Sequence, residues 1–160
     1  MKKIIFSSFG VFFFCLMFIG VSKAQIIVLP EVTITAKNVP EKVQKAFEGS
    51  FKDAIDPTWY ESNKSYLVKF LMNDMTNQAV FKKNGSIVYH IAYGFEKDLP
   101  VTVADLLKKE YPGYSIIVAI NVLQDQRDIW LVNMENDKFI IKVGVEDGVA
   151  TVAERIRKSQ

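Results

Sequence analysis

VPEKVQKAFEGSFKDAIDPTWY (residues 39–60) returns in weaker form as LPVTVADLLKKEYPGYSIIVAI (residues 99–120), and this echo decides the architecture. Both copies open with an apolar residue and a proline, Val39-Pro40 and Leu99-Pro100. A proline's fixed φ suits the first turn of a helix, so each marks a helix start. Val43, Phe47 and Phe51 then recur every four residues in the first copy, and Val103, Leu107 and Tyr111 do so in the second. That spacing is the buried stripe of an amphipathic helix. Both helices stop at turn chemistry, Gly49-Ser50 followed by Asp56-Pro57 in one copy and Pro112-Gly113 in the other.

Working outward toward the start, Lys2 and Lys3 precede an uncharged run from Ile4 to Val21, and Ser22-Lys23-Ala24 places small residues before Gln25. Residues 1–24 read as a secretory signal peptide cleaved after Ala24. An uncleaved anchor is the competing reading, since about 18 apolar residues just span a bilayer. Cys15, the single cysteine, lies inside this run without the small residues a lipoprotein site requires before it. The mature chain would therefore have no disulfide, no thiol nucleophile and no membrane span. Loss of Lys2, Lys3 and Lys23 lowers Lys+Arg from 20 to 17 against 18 Asp+Glu, so the net charge of +2 becomes about −1. Nothing in that balance suggests nucleic acid.

Residues 25–38, QIIVLPEVTITAKN, are rich in β-branched residues and read as an extended arm or edge strand. Beyond the first helix the periodicity changes to two. Tyr66, Val68, Phe70 and Met72 share one face of a strand, with Leu67, Lys69 and Leu71 on the other. Asn73-Asp74 turns the chain into a strand from Asn77 to Lys83, and Asn84-Gly85 is a strong hairpin signal leading into Ile87 to Tyr93. The second copy runs through the same succession: strands over Ser115–Leu123, Ile129–Met134, Lys138–Val145 and Val149–Ala153, separated by polar turns. Each unit, 39–97 and 98–160 with its short tail, is thus a helix followed by about four antiparallel strands. No helical segment separates adjacent strands, so the fold class is α+β, with helices on one face of a broad antiparallel sheet.

With the repeat in place, the chain resembles the PepSY-like proteins with a β-lactamase-inhibitor-protein-like (BLIP-like) fold, exported proteins of Bacteroidetes. The resemblance rests on Val39-Pro40, the Phe47 and Phe51 spacing, Trp59, the Tyr66-x-Val68-x-Phe70 strand and the Asn84-Gly85 hairpin. Leu99-Pro100, Tyr111-Pro112 and Asp147-Gly148 carry it through the second half. It implies a tandem of α+β units forming one sheet, in an exported protein of no established enzymatic activity. In the namesake inhibitor the open sheet face grips an enzyme, but no residue here matches an inhibitory contact individually. The segment LPEVTITA (residues 29–36) also resembles the contact segment near the mature start of TonB-dependent outer-membrane receptors.

The chemistry available to an enzyme is thin. His90 is the single histidine, whereas zinc sites without cysteine usually need at least two. No serine sits in a nucleophile-elbow context. The carboxylate pairs Asp125 and Asp128, Glu135 and Asp137, and Glu146 and Asp147 lack the alternating ligands of a calcium loop and read as hairpin residues. No glycine lies in a phosphate-cradling context. The expectation is a non-enzymatic protein without cofactor or metal.

Trp59, Tyr66, Phe70, Phe81, Tyr89 and Tyr93 are assigned by alternation, with Val68 and Ile91, to core packing against the first helix. His90, alternating with them, is assigned to a solvated or contact surface. If Trp130, Val132, Met134, Phe139, Ile141 and Val143 face the second helix, then Ile117, Ala119, Ile129, Leu131 and Ile140 face outward beside Lys138 and Lys142. An outward face half apolar over three strands marks a binding surface, unless the arm or the second subunit of a homodimer covers it. The contact residues read from this pattern are Leu67, Lys69, His90, Ile117, Ile129, Leu131 and Ile140, and the partner is an unidentified protein or peptide. Two alternatives stand beside this: a small-molecule or peptide carrier with a pocket between helix and sheet, and an accessory to an outer-membrane receptor working through the arm.

Overall fold

Proline places the two helices as expected. In the computed structural model, which describes residues 34–36, 38–62 and 64–159, α1 spans Glu41–Ser50 directly after Pro40 and α2 spans Val101–Glu110 directly after Pro100. The expected signal peptide, its expected cleavage site and the arm before Ile34 lie outside the described residues. Among those residues, nine strands follow the chain as one antiparallel meander in the order β1 to β9. They are β1 (Ile34–Thr35), β2 (Ile55–Ser62), β3 (Ser65–Met72), β4 (Met75–Lys82), β5 (Ile87–Gly94), β6 (Ser115–Gln124), β7 (Arg127–Glu135), β8 (Phe139–Glu146) and β9 (Val149–Arg157). Four strands follow α1, and four follow α2. β5 pairs with β6 from Tyr89 opposite Gln124 to Gly94 opposite Ala119, so both halves belong to one continuous sheet.

Turn chemistry sets the hairpins. Asn73 and Asp74, then Asp125 and Gln126, then Asp147 and Gly148 all have positive φ, as two-residue turns between twisted strands require. Gly85 adopts φ +88°, and a Cβ there would lie 2.9 Å from the Lys42 carbonyl oxygen, so this hairpin tip rests against α1. Asp56-Pro57, expected as a turn, lies within β2 at an irregularity where Asp56 has φ 53°. Proline is tolerated there because a bulge leaves its missing N–H outside the ladder. The arm pairs with this strand: Ile34 lies opposite Glu61, Thr35 opposite Tyr60, and the Ala36 N–H donates to the Trp59 carbonyl at 3.0 Å.

Each helix buries its stripe on the same side of the sheet. Val43, Phe47 and Phe51 pack on Tyr66, Val68, Phe70, Ala79 and Phe81. Phe47 meets Phe70 edge-on with ring centroids 5.1 Å apart, a favourable aromatic geometry. Leu107 is fully buried over Ala119, Val132, Met134, Ile141 and Val143, with Val103 and Tyr111 half-buried beside it. The expected inward set Trp130, Val132, Met134, Phe139, Ile141 and Val143 belongs to this cluster.

Two face assignments are corrected. Ala79 lies opposite His90 and Asn77 opposite Ala92, so His90 and Ala92 take the helix side, while Tyr89, Ile91 and Tyr93 take the other face. His90 is therefore no contact-surface residue: it is 8% exposed, its ring centroid 4.8 Å from that of Phe51. Ala119, expected outward, is fully buried beneath α2. Ala119 turns inward because an irregularity between Ile116 and Val118 shifts the alternation of β6 by one residue. A helix approaches a sheet closely over small side chains, so Ala79 and Ala92 are inward while the bulk of β5 is displaced to the opposite face.

His90 is satisfied in this core. The Asn77 amide nitrogen donates to the carbonyls of Met72 and Met75, at 3.1 and 2.8 Å, which leaves Oδ1 to accept from His90 Nε2 at 2.9 Å. His90 Nε2 therefore carries the proton, and burial pushes the imidazole pKa below 6.5. The unfolded chain takes up a proton below its ordinary pKa while the folded chain resists doing so. Stability is thus fully present above pH 6.5 and is lost as pH falls. Urea denaturation between pH 7 and pH 5 should show wild type losing up to about 1.4 kcal/mol per pH unit more than His90→Gln. Equal losses would mean that the imidazole titrates alike in both states. Gly85→Ala should lower stability by about 1–2 kcal/mol from its left-handed φ, and an unchanged urea midpoint would show that this position does not hold that φ.

Candidate binding face

The side of the sheet away from the helices carries its own core. Pairing sets Lys69, Gln78, Ile91, Val122 and Ile129 in one row across β3 to β7. Flanking rows contain Leu67, Val80 and Tyr89, and then Leu71, Thr76, Tyr93, Ile120 and Leu131. Leu67, Val80, Tyr89, Ile91 and Val122 are buried in a cluster made of strand residues alone, with Tyr60, Ile120, Ile129 and Leu131 half-buried around them. A flat, solvated sheet face would leave such side chains open; here they are 3–6% exposed because neighbouring strands bury one another's side chains.

Polar groups are set into this apolar surface. The Tyr89 hydroxyl has its pKa pushed up to about 12, first by burial and then by Tyr93, whose own hydroxyl is raised by burial. Lys69 is exposed at the rim, its ammonium 5.4 Å from the centroid of the Tyr60 ring. Farther along, Arg127 grips Glu146 through two hydrogen bonds of 2.6 and 2.7 Å, which lowers the Glu146 pKa. Lys142 pairs with Glu154 at 3.0 Å, and Lys158 with Glu135 at 2.7 Å.

The structure brings together four of the seven expected contact residues. Leu67, Ile129 and Leu131 belong to the cluster and Lys69 stands at its rim, although Leu67 is 5% exposed and supports the surface from within. Ile117 is 42% exposed in an irregularity of β6 between Ile116 and Val118, where the alternation breaks. Ile140 is half-buried opposite Glu135 and Ile156, away from the cluster. His90 lies on the helix side. Gln78, Val80, Tyr89, Ile91 and Val122 escaped the sequence reading. Counting outward from the Asn84-Gly85 turn would pair Phe81 with Val88, whereas Phe81 lies opposite Ile87 and an irregularity between Phe81 and Val80 then sets Val80 opposite Tyr89, so the turn alone does not give the register.

Elsewhere, a cleft of about 300 Å³ opens beside α1, lined by Gln44, Phe47, Phe51, Pro57 and Trp59. Phe47 and Phe51 are core residues there, and no unpartnered buried polar atom marks the cleft. Among the described residues no cluster of three or more His, Cys, Asp or Glu forms, and no helix is long and apolar enough to cross a membrane.

No protein-family model and no curated protein matches the sequence. Solved structures do. A BLIP-like protein of Bacteroides fragilis is similar with a TM-score of 0.60 at 12% identity, over 76% of this chain and 88% of that one. A DUF2874 family protein of Bacteroides ovatus gives 0.59 at 17% identity, over 76% and 89%. A candidate periplasmic protein of Bacteroides eggerthii gives 0.55 at 16% identity, over 75% and 89%. At such identities the likeness is one of architecture, and the chain has the BLIP-like fold: a broad antiparallel sheet with two helices.

Proposed function

We propose that this chain is an exported, non-catalytic binding module that contacts a protein or peptide through the helix-free face of its sheet. The observation that carries the reading is the apolar cluster on that face, built from Leu67, Val80, Tyr89, Ile91 and Val122 and ringed by half-buried Ile120, Ile129 and Leu131. Its buried members support an outer layer of half-buried Ile120, Ile129 and Leu131 with exposed Leu71 beside them, and an apolar patch that reaches solvent is the usual mark of an interaction surface. The two helix-plus-four-strand units, 39–97 and 98–160, are read as a tandem repeat whose strands meet at the centre of this face. Export and residence in the periplasm or medium follow from the signal peptide read at residues 1–24, in keeping with the candidate periplasmic relative of the fold. Catalysis is not part of the proposal, because the single histidine is committed to Asn77 on the helix side.

The test alters exposed residues of the face. Lys69 and Leu71 are both exposed and share it, whereas Lys109 is exposed on α2. The immobilised exported chain should capture a protein from envelope or medium, and the Lys109→Glu variant should do so equally. Lys69→Glu combined with Leu71→Asp should lose that protein while keeping the wild-type melting temperature. Equal capture by the face variant would overturn the reading. If instead the wild type is a dimer in solution and the face variant a monomer, the face joins two copies of this chain.

A further inference from the structure

Two buried side-chain polar atoms among the described residues lack a hydrogen-bond partner, Gln78 Nε2 and the Tyr89 hydroxyl, and both belong to the helix-free face. Gln78 is 6% and Tyr89 5% exposed. Gln78 lies opposite Ile91, two positions beyond Tyr89 on β5, so the two side chains are diagonal neighbours on one surface. The same spacing on the opposite surface relates Asn77 to His90, and that pair hydrogen-bonds at 2.9 Å. Here the amide offers N–H groups and the phenol, which can also accept, offers its O–H, and neither meets an acceptor among the described residues. Buried polar groups are nearly always paired, so an orphaned pair points to something outside the chain.

Charge indicates what that acceptor is. Three carboxylates at strand positions of this face, Glu135, Glu146 and Glu154, are each held by a cation, Lys158, Arg127 and Lys142. Lys69, directly opposite Gln78, and Lys82, at the end of β4, form no ion pair among the described residues. Lys69 thus stands without an ion pair among the described residues, directly opposite one of the two unsatisfied donors, and this set is complementary to an anion. Resting on the binding face proposed above, we infer that the partner is a protein segment presenting a carboxylate beside apolar side chains. Once the Gln78 and Tyr89 side chains turn outward, the carboxylate accepts hydrogen bonds from them with Lys69 as counter-ion, and the flanking side chains lie on Ile120, Ile129 and Leu131.

The probes are three blocked tripeptides, acetyl-Leu-Glu-Leu-amide and its counterparts with Gln or Lys at the centre, titrated into the exported chain and followed by NMR. The Gln78 side-chain amide signals, identified by their loss in Gln78→Leu, should move with the Glu peptide and not with the Lys peptide. Methyl signals of Ile129 and Leu131 should move at the same time. Lys69→Met should weaken the Glu peptide by about fivefold, as for one ion pair, and leave the Gln peptide unchanged. If all three peptides move the methyl signals alike while the Gln78 amide stays still, the face binds apolar segments and the carboxylate inference falls. If no methyl signal responds to any peptide while the fold is intact, the inference falls together with this peptide route to the face, and the capture experiment then judges the face independently.

Discussion

The antiparallel pairing of β5 with β6 is the contact on which the rest depends. It joins two halves that each have their own helix and core, and it is made after about twenty residues of intervening chain, from Gly94 to Ser115. The closure is tight at Gly94, where a Cβ would come within 2.8 Å of Asp98 Oδ2 and 3.0 Å of Met75 Sδ. Asp98 in turn accepts a hydrogen bond from the Phe95 N–H at 2.9 Å, fixing the turn that leads into α2. Without this pairing there would be two small sheets. With it, Leu67, Val80, Tyr89 and Ile91 from the first half meet Val122, Ile129 and Leu131 from the second.

The two surfaces of that sheet follow different physical rules. On the helix side, apolar contacts are closed by Val43, Phe47, Phe51 and Leu107, and the buried polar pair Asn77 and His90 is satisfied. On the other side, residues one position along the same strands, Gln78 and Tyr89, have the same diagonal relation and polar atoms without a partner among the described residues. A half-satisfied polar pair in an apolar surface is costly, and this cost is borne beside the strands that join the two halves. Polar satisfaction tells the two faces apart better than hydrophobicity does, since both are apolar.

The readings that succeeded were local. Pro40 and Pro100 mark helix starts because a fixed φ acts on the adjacent residue, and the Val43, Phe47, Phe51 stripe is visible because helical geometry repeats within one element. Hairpins at Asn73-Asp74 and Asp147-Gly148 follow from the tolerance of these residues for positive φ. The failures arose where size was used in place of register. Tyr89, Ile91 and Tyr93 are larger than His90 and Ala92, and assigning bulk to the helix side inverted β5. Ile117 and Ala119 depart from the expected alternation because a bulge between Ile116 and Val118 interrupts the period on which both assignments rely.

Backbone preference and periodicity act over a few residues, so the order of elements, the α+β class and the apolar content of both sheet faces were determined by the sequence itself. Which face each strand turned toward the helices depended on cross-strand pairing, and a shift of one residue exchanges the two faces without changing any local preference. The joining of the halves into one sheet, the removal of His90 to a core, and the meeting of Gln78, Tyr89 and Lys69 were decided by tertiary structure, because each rests on contacts between strands that no local pattern encodes.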